Sequence, residues 1–126
     1  MVMAFAGTIS ADVIGMTDGE VQAVATPVLD GILNGIKSGN YAEYSKDFDV
    51  TLKEGVPEAK FGDVKAQIEG TFGSCESKQY LGFLNKGNMT VILWKARFEK
   101  AGPDVLLKLA MYKSGDKYLV AGLWFQ

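Results

Sequence analysis

Four strand-like runs in the last fifty residues constrain the fold of this chain more than any other feature. They cover residues 76–85, 88–100, 104–113 and 117–126, and each is rich in aromatic and aliphatic residues. Short glycine-containing segments separate them, at Asn85–Asn88, Ala101–Pro103 and Ser114–Asp116. Residues of this kind tolerate the positive φ angles of hairpin loops. We therefore predict a meander of four consecutive antiparallel strands.

Alternation within the second and third runs predicts which face of this sheet is buried. Apolar residues of one parity alternate with Lys95, Arg97 and Glu99 in the second run, and the third run carries a matching apolar set. The two sets are Ile92, Trp94, Ala96 and Phe98, and Val105, Leu107, Leu109 and Met111. Both sets face the same side of the sheet if the loop between the second and third runs is centred on Ala101-Gly102. This register places Lys95 roughly opposite Lys108.

The last run is apolar on both parities, so its buried face depends on the loop before it. If the loop has two residues, Gly115 and Asp116, the inward set is Tyr118, Val120 and Trp124. If the loop has three residues, the inward set is Leu119, Ala121, Leu123 and Phe125. The sequence leaves both alternatives open.

From Thr17 the apolar period changes from two residues to three and four, which is typical of an amphipathic helix. The stripe consists of Val21, Val24, Ala25, Val28, Leu29, Ile32 and Ile36. A capping box begins at Thr17, and Gly39 suits a left-handed cap at the end of the helix. Inside the helix, Pro27 either kinks the chain or restarts the helix. We interpret Gly31 and Gly35 as positions where the helix approaches the sheet closely.

Two shorter helices are predicted after this long one. The first runs from Tyr41 to about Phe48, and the second from Val56 to Phe72, with an irregular TLKEG segment between them. Helices that cover one face of an antiparallel sheet define the α+β class. We therefore predict one α+β domain, residues 17–126, in which a long N-terminal helix and two shorter helices pack on the four-stranded sheet.

Composition excludes several classes of function. A net charge of −2, from 13 basic and 15 acidic residues, provides no electrostatic footprint for nucleic acid. Cys75 is the single cysteine, and the chain has no histidine to activate it, so we expect an inert thiol. The glycines form no phosphate loop or dinucleotide fingerprint, and the acidic residues lack the spacing of a calcium loop. We therefore predict no cofactor and no metal.

Residues 1–16 form a separate apolar segment. Met1–Ala11 is similar to the back half of a secretory signal, with Ala4-Phe5-Ala6 or Ile9-Ser10-Ala11 as a cleavage site, although a basic start is missing. The segment is either such a remnant or an apolar arm packed on the domain. It is too short to span a membrane. We expect an extracytoplasmic protein, with the cytoplasm as the alternative.

Several segments taken together resemble the nuclear transport factor 2-like (cystatin-like) superfamily. A long first helix leads into SGNYAEY at Ser38–Tyr44 and Phe48-Asp49-Val50, and the meander ends in GDKYLVAGL at Gly115–Leu123. The resemblance covers roughly Asp18 to Gln126 and is closest to the small domains of unknown function in that superfamily. It implies a curved sheet wrapped around the long helix, a cone-like pocket at the open end, and frequent dimerisation through the outer sheet face.

This superfamily includes isomerases, dehydratases and cyclases as well as binding modules, so the resemblance does not decide the chemistry. The absence of histidine excludes the dehydratase and cyclase arrangements that depend on it, and most three-ligand catalytic zinc sites. The enzymatic alternative is a small lyase or isomerase with a carboxylate base and a tyrosine donor. Tyr41, Tyr44, Asp47 and Asp49 supply those residue types, but the same run is typical of a surface helix with one buried aromatic side.

We favour a non-catalytic binding or interaction module for a small apolar or amphipathic ligand or a protein partner, with no catalytic residues. The expected pocket lining is Tyr44, Phe48, Trp94, Phe98, Leu109, Met111 and Trp124. The alternative for these side chains is that they simply fill the core. Apolar residues also occupy the opposite parity of the strands, which predicts a homodimer through the outer sheet face. These outer residues are Val91, Leu93, Leu106, Ala110 and Tyr112.

Overall fold

The computed structural model describes residues 11–126, and within this range it contains four helices and four strands. The helices are α1 (Asp18–Ser38), α2 (Tyr41–Tyr44), α3 (Val50–Gly55) and α4 (Glu58–Thr71). The strands are β1 (Cys75–Lys86), β2 (Met89–Phe98), β3 (Ala101–Ser114) and β4 (Lys117–Phe125). The strands form one antiparallel sheet in the order β1-β2-β3-β4. The predicted α+β class and meander are confirmed.

Helix α1 begins and ends at the predicted caps. The Thr17 hydroxyl accepts from the Glu20 N–H at 3.2 Å, and Gly39 adopts φ 72° while its N–H donates to carbonyls of the last turn. The helix runs continuously through Pro27, so it does not restart there. Its apolar stripe packs against the inner sheet face, which forms one hydrophobic cluster with it.

The shorter helices differ from the prediction in two places. Helix α2 has one turn only, and the chain then turns through residues 45–47, after which Phe48 forms a parallel bridge with Val120 of β4. The segment expected to be irregular is helix α3, because the Asp49 carboxylate accepts from the Leu52 N–H at 2.8 Å and caps its first turn. Helix α4 is close to its predicted bounds.

The register between β2 and β3 corrects the predicted loop. The turn consists of Glu99 and Lys100, since Phe98 pairs with Ala101, and the residues expected to form the loop belong to β3. An irregularity before Val105 then brings Ala96 opposite Val105. Both predicted apolar sets are buried on one face, as expected. The predicted pairing of the two lysines is wrong: Lys95 lies opposite Leu106, and Lys108 lies opposite Leu93.

Strand β4 combines the two alternatives left open by the sequence. The loop has two residues, because Ser114 pairs with Lys117, and Val120 is fully buried opposite Met111. A bulge at Ala121 then reverses the parity, so that Leu123 faces inward opposite Leu109. Beyond the bulge, Trp124 lies on the outer face.

The segment before α1 is attached to the sheet. Asp12 exchanges two backbone hydrogen bonds with Lys113, of 2.9 and 2.7 Å, and the Ile14 side chain is buried. The Ile14 N–H donates to the buried Thr90 hydroxyl at 3.0 Å, and that hydroxyl donates to Asn85 at 2.7 Å. Residues 12–14 therefore pack on the domain that was predicted to begin at residue 17. The proposed signal remnant falls almost entirely on residues 1–10, which lie outside the described range.

Candidate functional site

Six of the seven residues expected to line a pocket lie in the hydrophobic core. Those six are Tyr44, Phe48, Trp94, Phe98, Leu109 and Met111, and each is buried. Two of them, Tyr44 and Phe48, pack ring against ring with their centroids 4.8 Å apart, and Tyr44 also packs on Phe61 of α4 at 4.7 Å. Of the six, Phe98 also borders an open cleft, which is described below.

Trp124, the seventh residue, is on the outer sheet face and 45% exposed. Its indole packs against Gly122, where an added Cβ would come within 2.5 Å of the ring. The Lys108 ammonium lies 5.2 Å from the ring centroid. The bulge at Ala121 causes this placement, and it removes Trp124 from any site on the inner face.

A cleft of about 290 Å³ opens between the C-terminal halves of α1 and α4 and the start of β1. Its large apolar side chains come from α1, α4 and the end of β2: Leu33, Ile36, Ile68 and Phe98. Its polar rim consists of Asp30, Asn34, Lys37, Glu69, Glu76 and Lys78. An apolar base surrounded by a small number of polar groups is typical of a ligand site. We call this feature the α1–α4 cleft.

Each wall of the α1–α4 cleft follows from local sequence. On α1, residues 30, 33, 34 and 37 recur at helical spacing and form a second stripe beside the core stripe. Gly73 adopts φ 76°, a conformation that favours glycine, and turns the chain from α4 into β1. The backbone from Gly73 to Lys78 thereby forms the opposite wall.

Two ion pairs lie on the rim. The Lys78 ammonium is 2.6 Å from the Asp30 carboxylate and connects β1 to α1. The Lys65 ammonium is 2.7 Å from Glu69 and also donates to the Lys37 carbonyl at 3.4 Å, which connects α4 to the end of α1. Both pairs are partly exposed, so each contributes at most about 1 kcal/mol to stability. Their main effect is to position charged groups around the opening.

Cys75 borders the same cleft and is half-buried. Burial raises the pKa of its thiol, an effect larger than the opposing attraction of the Lys78 charge. The thiol therefore stays protonated at neutral pH, and a protonated thiol is a poor nucleophile. Within the cleft it acts as a small apolar surface.

The tyrosines and carboxylates considered for acid–base chemistry do not meet in this cleft. The Tyr41 hydroxyl donates to the Val56 carbonyl at 2.8 Å, and Tyr44 is in the core, where burial raises its pKa. Asp49 accepts from the Tyr112 hydroxyl at 2.9 Å through one oxygen and from the Leu52 N–H through the other. Burial and this carboxylate raise the pKa of Tyr112. These bonds connect α2 and α3 to their neighbours and leave both Asp49 oxygens engaged.

Apart from Phe98, the residues that line the cleft were not among those predicted from the sequence to line a pocket. The available signal was Leu33, an apolar residue of α1 outside the core stripe, with charged residues three before it and four after it. The contribution of β1 had no comparable signal, because it depends on how α4 returns to the sheet.

Within residues 11–126, no group of three or more cysteine or acidic side chains is arranged to hold a metal ion. The helices of the same range include none long and apolar enough to cross a membrane. Comparison of the chain with protein-family models, with curated proteins and with solved structures finds no match.

Proposed function

We propose that this protein is a non-catalytic binding module of the nuclear transport factor 2-like type, and that its ligand occupies the α1–α4 cleft. The observation that carries the proposal is a half-open cavity with four apolar side chains at its base and a charged rim. The long α1 helix laid on a four-stranded meander supports the superfamily resemblance.

The ligand is small and amphipathic. A volume of about 290 Å³ is just below the range of about 300–1,000 Å³ that is typical of pockets for drug-sized ligands. Leu33, Ile68 and Phe98 provide apolar contact for its body, while the rim residues remain hydrated and require a polar group at the opening.

Filling the cleft tests the proposal. We expect 1-hexanol, used as a fragment probe, to shift the backbone amide resonances of residues 74–78 in the wild-type chain. Leu33→Trp should abolish these shifts, because the indole would occupy the apolar base. Ala23→Trp, on an exposed position of the same helix, is the matched control and should leave them unchanged. Absence of any shift in the wild-type chain would contradict the proposal.

We also propose that the module is a homodimer that pairs through the outer sheet face. Leu84 and Trp124 are about half exposed there, at 51% and 45%, and half-buried apolar residues of β2 and β3 lie between them. Those residues are Val91, Leu93 and Leu106. An apolar sheet face of this kind is typical of a protein interface.

Light scattering at micromolar concentration tests the dimer. We expect a mass twice the 13.6 kDa of one chain, and one-chain mass for the double variant Leu84→Lys with Trp124→Lys. The control changes Met16 and Val50 to lysine, since these equally apolar and more exposed residues lie outside the sheet. A wild-type monomer would exclude the dimer and would leave the cleft proposal untouched.

A further inference from the structure

The α1–α4 cleft lies where two helices end. It is lined by Ile36 and Lys37 in the last turn of α1, and by Ile68 and Glu69 near the end of α4. The C-terminal end of a helix carries a partial negative charge of roughly half an elementary charge, from carbonyls without helical partners. Two such ends therefore direct negative potential into the same opening.

The side chains of the rim do not cancel this potential. Three carboxylates line the cleft, from Asp30, Glu69 and Glu76, against the two ammonium groups of Lys37 and Lys78. Lys65, which is paired with Glu69 at the rim, brings the count of formal charges to zero. The partial negative charges of the two helix ends then make the electrostatic potential at the opening negative. A negative potential favours a cation.

The chain already places an ammonium group beside this rim, on Lys65. The Lys65 Nζ lies 2.7 Å from a Glu69 carboxylate oxygen and 3.4 Å from the Lys37 carbonyl oxygen, so it is held by one acceptor from each helix end. Both acceptors belong to residues that line the cleft. This contact shows the chemistry that the rim accepts: a primary ammonium between a carboxylate and a helix-end carbonyl.

We propose that the ligand of the α1–α4 cleft is a small organic cation, an amine with an apolar body, an inference that rests on the binding function proposed above. The alkyl or aryl body lies on Leu33, Ile68 and Phe98, and the ammonium group is held at the rim by Glu69 and the Lys37 carbonyl. In doing so it competes with the Lys65 ammonium for these acceptors.

Three probes with the same apolar body and different head groups separate this inference from the proposed function. They are hexylammonium, 1-hexanol and hexanoate, titrated against the intact chain while the amide resonances of residues 74–78 are followed. We expect hexylammonium to bind about two- to fivefold more tightly than 1-hexanol, and hexanoate to bind most weakly.

Two substitutions should change hexylammonium affinity in opposite directions. Lys65→Met removes the competing ammonium at nearly constant side-chain length and should strengthen binding, while Glu69→Gln removes the charged acceptor and should weaken it. The affinity for 1-hexanol should change much less than that for hexylammonium in both variants, because the hydroxyl group carries no charge. Glu58→Gln, an exposed position in the first turn of α4, is the control and should change nothing.

The outcomes distinguish the two proposals. Equal affinity for hexylammonium and 1-hexanol, or preference for hexanoate, would overturn the cationic ligand while the binding cleft stands. If none of the three probes shifts the amides of residues 74–78, the binding function fails together with the inference.

Discussion

Single residues decide how closely the layers of this fold approach one another. A Cβ built on Gly35 would come within 2.5 Å of the Tyr44 backbone nitrogen and within 2.8 Å of its Cβ. The close approach expected at Gly35 is thus between α1 and α2, and not between α1 and the sheet. At Gly31 a Cβ would meet nothing within 4 Å, so this glycine has no such packing role.

Substitution of these two glycines should have opposite effects on stability. Gly35→Ala should lower the free energy of unfolding by about 1–3 kcal/mol, because backbone atoms of α2 would have to move. Gly31→Ala should raise it by about 0.4–1 kcal/mol, because alanine loses less conformational entropy in a helix. Urea denaturation of both variants measures the difference. Similar effects of the two substitutions would contradict the close contact.

A tyrosine of β1, Tyr80, donates a hydrogen bond to the start of α1 and makes stability depend on alkaline pH. Burial, together with a 2.6 Å hydrogen bond to Asp18, raises the pKa of Tyr80 to about 12, from 10.0. The folded chain therefore retains a proton that the unfolded chain releases between pH 10 and 12. Unfolding is favoured as the pH rises through this window, and the contribution of Tyr80 is fully present below pH 10.

We expect the urea midpoint of the wild-type chain to fall more steeply between pH 10 and 12 than that of Tyr80→Phe. Phenylalanine keeps the ring against Trp94 but cannot ionise. Measuring both proteins at pH 8 provides the reference, since Tyr80 is neutral there in both states. Parallel curves across the alkaline range would show that Tyr80 does not carry this dependence.

At the scale of elements, the segment before α1 completes the sheet. Strand β3 extends past the first residue of β2, and Asp12 pairs with Lys113 at that point. The buried hydroxyl of Thr90 then connects Ile14 to the end of β1 through Asn85. Each of these polar groups has a partner, so the segment is an integral part of the fold.

Removal of this segment should therefore destabilise the domain. We expect a chain that begins at Thr17 to be about 1.5–3 kcal/mol less stable than one that begins at Ala11, mainly because the burial of Ile14 is lost. Thermal or urea denaturation of the two truncated chains measures this difference. Equal stability would mean that the contacts of residues 12–14 contribute nothing to folding.

In the whole molecule, the four strands differ in how many of their backbone groups have hydrogen-bond partners. Strands β2 and β3 each have two neighbours, and β4 is covered at Val120 by hydrogen bonds to Asp47 and Asp49. Strand β1 pairs with β2 alone among the described residues and is interrupted by irregularities after Cys75 and Tyr80. Its free edge also forms one wall of the α1–α4 cleft.

Native-state hydrogen exchange should reproduce this order. The slowest amides should lie in β2 and β3, those of β1 that face away from β2 should exchange fastest, and the Val120 amide should be protected. Protection of β1 equal to that of β3 would instead indicate that a second copy pairs with its edge. The measurement therefore also separates edge pairing from the proposed outer-face dimer.

The sequence by itself determined the elements whose signals are local. The N-cap at Thr17, the left-handed cap at Gly39 and the alternation of β2 and β3 depend on residues a few positions apart, and the structure confirms each of them. The second bond of the predicted capping box differs, because the Glu20 carboxylate accepts from the Met16 N–H and not from the Thr17 N–H. The same local signals predicted the meander and the α+β class. The superfamily resemblance, the dimer and the ligand remain predictions.

The position of the candidate site depends on tertiary contacts. The bulge at Ala121 that turns Trp124 outward, the bridge at Phe48, and the attachment of Ile14 all arise from contacts between residues far apart in the chain. The α1–α4 cleft has the same origin, because it is the space left between two helix ends and one strand edge. Local periodicity places a side chain on a face of its own element, but packing between elements decides what that face meets.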